Sequence, residues 1–176
     1  MPLGKKPRVL DEAGLLDYAL KALGSRAQST GDLRQKLRRR AERAQDVDTV
    51  IASLKEHGYL NDKKYAENYT AQRLENEGFG RARVLSDLRA KRVAPAVAEV
   101  AVETAFAAID EIALIEKFLE RKYRRQPLKE VLADSKGVAS AYRKLRVAGF
   151  SGSNALRVLK RFARDTETLE ALESEE

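Results

Sequence analysis

Three segments of the chain repeat one pattern: DLRQKLRRRA at residues 32–41, RVLSDLRAKRV at 83–93 and SAYRKLRVAGF at 140–150. Each holds a Leu-Arg pair, with Leu37, Leu88 and Leu145 spaced 51 and 57 residues apart. Each is preceded by a helical pattern, at 12–23, 62–76 and 110–125, and followed by another, at 47–57, 96–108 and 153–164. Self-similarity on this scale, with the same order of helices and breaks, is the mark of stacked supersecondary units. Apolar residues recur at helical spacing almost throughout, and strand-like alternation is hard to find. The expected fold class is therefore all-α: nine helices in three tandem three-helix repeats forming an elongated, curved array. Repeats at 11–60, 61–108 and 109–165 follow, between a flexible N-terminus (1–10) and an acidic tail (166–176). A unit of about 50 residues buries too little apolar surface alone, so each must stack on its neighbour.

Helix punctuation is clearest around residue 58. In DVDTVIASLKEHG, Val47, Val50, Ile51 and Leu54 form one stripe, Asp46 or Asp48 can cap the start, and Gly58 can stop the end. The next helix can begin at Asn61 or Asp62 and runs to the NEGFG break at 76–80. The joint GYLNDKKYAENY carries three of the six tyrosines. Such rings serve either as stacking platforms for bases or as packing between helices. Tyr65 and Tyr69 lie one turn apart in the least basic repeat, which favours packing between repeats; Tyr59, at the bend, is the residue best placed for stacking.

The hydrophobic fraction of 43% is ample for folding, and a net charge of +7 favours an anionic partner: nucleic acid, an acidic protein groove or a membrane surface. Absence of cysteine fits a reducing compartment. The N-terminus lacks an apolar signal core and no run of apolar residues is long enough to span a bilayer, so a soluble, cytoplasmic protein without membrane contact is expected. His57 sits in the last turn of its helix, and the pairs Glu75 with Glu77 and Glu99 with Glu103 read as solubilising. No phosphate loop, HExxH motif or Cys/His cluster is present. No catalytic residue, cofactor or metal is expected.

Charge is unevenly spread: net +6 over residues 1–45, −2 over 46–110, +8 over 111–165 and −5 over the tail. On the first Leu-Arg helix and just beyond it, Arg34, Lys36, Arg38, Arg39 and Arg43 project away from the Leu33 and Leu37 face. The third adds Arg143, Lys144 and Arg146, and in the last helix Arg157, Lys160, Arg161 and Arg164 form one outer ridge. These ridges suit a phosphate backbone or an acidic groove, or else are a solvated face that keeps the chain soluble. The tail TETLEALESEE carries five glutamates, which are either simply solvated or mask the neighbouring ridge.

The run from Leu54 to Val93 resembles the central signature of the RecX regulatory proteins: a helix ending Gly58-Tyr59-Leu60, then Asn61-Asp62, Tyr65-Ala66, Tyr69, a glycine break and an Arg-rich helix ending in LRAK. SRAQSTGDLRQKL resembles that family's first repeat and GFSGSNALRVLKRF its closing helix. The resemblance spans about residues 13–164. It implies a bacterial modulator of the RecA recombinase, usually inhibitory, acting in recombination, DNA repair and the SOS response. Such a protein lies in the groove of the RecA filament on DNA, has three tandem three-helix repeats and has no catalytic site. The basic residues named above are then the filament contacts, with weaker electrostatic binding to single- or double-stranded DNA, by a monomer. A helix-turn-helix-like DNA binder and a nucleic-acid-independent adaptor are the rival readings. The long QPLKEVLADSKGV linker departs from the pattern and affects the register of the third repeat.

Overall fold

The computed structural model describes residues 9–163 together with Leu169 and Ala171. Among them the chain is all-α, in tandem three-helix order, with no strand. The first three helices are α1 (Glu12–Ser25), α2 (Thr30–Arg38) and α3 (Ala44–Glu56). Side chains cap two of them: Asp11 accepts the Gly14 N–H at 2.9 Å and Ser29 accepts that of Asp32 at 3.0 Å. Val47, Val50, Ile51 and Leu54 are buried with Leu15, Leu33 and Leu37, so the apolar stripe read from the sequence is the core face. Burial of each such side chain contributes about 1.5–3 kcal/mol. Helix α3 starts earlier than its aspartates suggest, with Arg43 as the flanking residue; Asp46 lies buried in the first turn instead. Gly58 follows the helix in the left-handed region, φ 74°.

Helix α4 (Asp62–Gln72) runs into a π-turn (Arg73–Glu77), and α5 (Arg81–Ala90) and α6 (Pro95–Phe106) follow. Asn61 is the cap of α4, accepting the Lys64 N–H at 3.0 Å. Asp62 is put to a different use: it accepts the Thr30 N–H, an otherwise orphaned donor at the start of α2, at 2.7 Å. Helices α7 (Glu111–Lys122), α8 (Leu128–Val131), α9 (Ser135–Val147) and α10 (Gly152–Leu159) complete the described fold. The long linker thus contains a tenth helix where nine were expected. LKEVL makes one turn after Pro127, long enough to drive Leu132 fully into the core.

The chain divides into two compact units, one running to Asn68 and including Leu88–Glu99, the other Tyr69–Asp87 with the residues from Val100 onward. Each contains the same kind of joint. Helices α5 and α9 end alike, with Leu88 accepting the Val93 N–H and Leu145 accepting that of Phe150, both at 3.2 Å, around a left-handed residue: Arg92 (φ 57°) in one and Gly149 (φ 90°) in the other. In the first unit this loop packs on the start of α2. Gly31 leaves room for the Arg92 backbone, Ser29 Oγ donates to the Lys91 carbonyl, and Arg92 reaches Asp32 at 2.7 Å. In the second unit the loop packs on the start of α5, where Gly80 N–H donates to the Ala148 carbonyl at 2.8 Å and Ala82 N–H to that of Gly149 at 3.1 Å.

Counted from the Leu-Arg leucines, the Lys91 and Ala148 carbonyls correspond to that of Arg40 in the first repeat. It too has a partner: Leu10 N–H donates to Arg40 at 2.7 Å, and Glu42 returns a bond to Leu10 at 2.9 Å. At the other end of the series, the start of α9 is covered by the last turn of α8, the Val131 carbonyl lying where a side chain at Gly137 would stand.

The second unit's core gathers Ile115, Leu119, Leu132, Leu145, Leu156 and Leu159. Leu169 joins them, 0% exposed, although it belongs to the acidic tail. Helix α10 has no side-chain cap of its own, and Glu111 of α7 provides one, accepting Ser151 N at 2.9 Å, Ser151 Oγ at 2.6 Å and Asn154 Nδ2 at 2.5 Å. Partial burial would raise the Glu111 pKa, but the Ser151 and Asn154 donors and nearby Arg146 outweigh it and hold the carboxyl below its ordinary value. A carboxylate depressed in the folded state stabilises above its unfolded pKa, and the contribution is lost as pH falls through the folded value. Glu111→Gln is expected to melt below the parent at neutral pH, with the gap closing as pH is lowered through the carboxylate range. A pH-independent gap in thermal melts would refute the charged cap.

Candidate anion-binding surface

The five cations expected in the first repeat do not share one role. Arg34 pairs with Asp48, and Lys36 donates to Gln28 Oε1. Burial, reinforced by Arg26, lowers the Lys36 pKa. Arg43 grips the buried Asp46 carboxylate with two bonds of 3.1 Å, and the hydrogen bond to Asp46 raises its pKa. These three are engaged with their own unit. Arg38 and Arg39, at the end of α2, are exposed and form no ion pair with another described residue.

In the second unit, Arg143, Lys144 and Arg146 are exposed on α9, which packs against α10 with its exposed Arg157, Lys160 and Arg161. Lys144 donates to the Tyr123 hydroxyl at 3.1 Å and stands 5.0 Å over its ring. Arg146 donates to the Phe150 carbonyl at 3.2 Å, and Arg161 pairs with Glu116. Arg143 and Arg157 point to solvent without a described partner. Arg164 lies outside the described residues. Ala155, Leu156 and Leu159 form the buried face of α10.

The tyrosines divide as well. Tyr59 is 59% exposed, on the rim of a cleft of about 470 Å³ that Tyr65 also lines. Tyr65 and Tyr69 are both partly buried. The Tyr69 hydroxyl is the centre of a polar cluster. It accepts from Arg73 Nε at 2.9 Å and Nη2 at 2.8 Å, and Asp87 draws in both Arg73, at 3.3 Å, and Arg83, at 3.0 Å. Burial raises the Tyr69 pKa, and the bond to Tyr69 raises that of Arg73. Phe79 is faced by both guanidiniums, at 5.7 and 5.1 Å. Three members of the acidic pairs face arginines: Glu77 faces Arg73 at 3.0 Å, Glu99 faces Arg89 at 3.3 Å and Glu103 faces Arg81 at 4.0 Å. His57 bonds the Ser53 carbonyl at 2.8 Å, and no metal-ligand cluster occurs among the described residues.

Sequence reasoning passed over one concentration of charge. RKYRR, residues 121–125, puts four cations into five positions where α7 ends. The signal was visible, but basic residues in a last helical turn are ordinary complements of the helix dipole.

Residues 61–102 match the model of the RecX second three-helix domain. A regulatory protein RecX of Deinococcus radiodurans is 32% identical over 154 residues, covering 86% of this chain and 71% of the relative. One of Vibrio vulnificus is 32% identical over 137 residues, covering 77% and 84%. The crystal structure of RecX from Lactobacillus salivarius superposes with a TM-score of 0.65 at 20% identity, over 86% of this chain and 96% of that one, which supports the fold. No helix among the described residues is long and apolar enough to cross a membrane. With these tandem three-helix joints and relatives of this coverage, the chain belongs to the RecX family of regulatory proteins.

Proposed function

We propose that the protein binds the RecA recombinase filament on DNA and lowers its ATPase and strand-exchange activity, acting as a cytoplasmic regulator without catalysis of its own. The observation that carries this reading is the set of solvent-facing cations without described partners: Arg38 and Arg39 on α2, Arg143 on α9 and Arg157 on α10. Guanidiniums not engaged within their own unit can neutralise an external polyanion without breaking internal pairs. A filament on DNA presents such a polyanion, and phosphate neutralisation releases counterions, which makes binding salt-dependent. Arg34, Lys36 and Arg43 serve chiefly to hold their own repeat.

The test is a titration of RecA ATPase and strand exchange, with the protein added before and after filament assembly. Inhibition is expected in both orders. An Arg143→Gln, Arg157→Gln variant, which keeps the apolar faces of α9 and α10, should need about tenfold more protein for the same inhibition and show a flatter salt dependence. Unchanged RecA activity at saturating protein would sink the function; full potency of the variant with an unchanged salt slope would sink the contact surface.

A further inference from the structure

The RKYRR run borders a cleft of about 810 Å³ in the second unit, one wall formed by the end of α7 and the other by the turn at residues 76–79. Its parts fall into two classes. Arg121 belongs to the scaffold: it donates to the Asn76 carbonyl at 2.8 Å and lies 6.0 Å over the Phe118 ring. Phe79 is faced by Arg73 and Arg83, which Asp87 holds in place, and Tyr123 carries Lys144 on its face. Lys122, Arg124 and Arg125, by contrast, are exposed and have no partner among the described residues. Glu77, the one acidic residue among the described residues that line the cleft, is paired with Arg73. The mouth is therefore positive, and its cation-faced aromatic wall is ordered before anything binds.

We propose that this cleft binds a single strand of nucleic acid, its phosphates on Lys122, Arg124 and Arg125 and a base against the guanidinium–aromatic wall. The volume lies in the range of sites that enclose a small ligand, so it admits a nucleotide or two. A duplex presents its phosphates on a convex cylinder and would bridge the mouth without entering. An acidic peptide could meet the rim charges but has no planar face to lay on the stacked wall, which is what unpaired bases offer. The rings already carry cations, so phosphate contacts supply most of the affinity. This goes beyond the filament reading, since the cleft needs no RecA.

The experiment is fluorescence anisotropy of a labelled oligothymidine with the full chain alone. Arg124→Ala with Arg125→Ala removes two rim charges that make no described contact, so melting should be unchanged, affinity should fall about tenfold or more, and the log-log salt slope should flatten by about 1.4. A hairpin duplex, polyglutamate and ATP should each compete far less well than unlabelled oligothymidine. Equal competition by any of these, or a double variant with unchanged affinity and slope, overturns the proposal. Oligothymidine binding through the cleft by a protein that leaves RecA ATPase untouched would uphold it and overturn the filament reading.

Discussion

A Gly149→Val variant is expected to lose about 4 kcal/mol of stability, a drop of roughly 10 °C in Tm. Two independent penalties meet at this residue. Its φ of 90° lies where a β-branched side chain is a genuine outlier. A Cβ there would also overlap the Arg83 backbone nitrogen and Cα, and a helix backbone cannot swing aside as a side-chain tip can. Relief requires the loop to lift from the start of α5, which breaks the bonds from Gly80 and Ala82 to the Ala148 and Gly149 carbonyls. Arg92 shows why the matching position of the first unit tolerates a side chain: the neighbouring helix offers Gly31 in place of a crowded backbone, and Asp32 secures the guanidinium. Thermal melts followed by circular dichroism decide the matter. A loss below about 1 kcal/mol would mean the joint yields to a side chain.

Leu169→Ala should cost about 3 kcal/mol, the range for emptying a fully buried leucine site. No change in melting would show that the leucine does not occupy the core in solution. The result bears on the tail's five glutamates as well. Deleting residues 166–176 removes a core side chain together with the charges, so altered binding by the truncated protein would have two explanations. Replacing the glutamates by glutamine while keeping Leu169 separates electrostatic masking from folding.

The helices were legible because burial at a period of 3.6 is written directly in apolar spacing. Leu37, Leu88 and Leu145, picked out only by recurrence, are each 0% exposed. Helix α8 was missed because four residues give too short a window for periodicity. The joints are hidden for a different reason: their acceptors are backbone carbonyls, which every residue carries, and the donor is a side-chain hydroxyl at Ser29 but a backbone N–H at Gly80, so matching positions share no letter. Among the candidate site residues, sequence fixed which cations leave the apolar face but not which are already engaged. Lys36 meets Gln28 eight residues back and Arg34 meets Asp48 fourteen ahead, separations set by the tertiary fold and not by a helical turn. In the sequence Arg43 reads as a contact and Asp46 as a cap, whereas in the structure they bind each other.

Docking the end of one repeat's second helix on the start of the previous repeat's is a head-to-tail operation, and such interfaces have no built-in limit: copies that offer both halves can add indefinitely into an open fibre. This chain plugs both halves with its own residues. Leu10 takes the Arg40 carbonyl that a preceding repeat would otherwise claim, and α8 lays Val131 over Gly137, where a following loop would land. Both docking positions are thereby occupied from within the chain, which opposes the end-to-end addition that the same chemistry would otherwise permit.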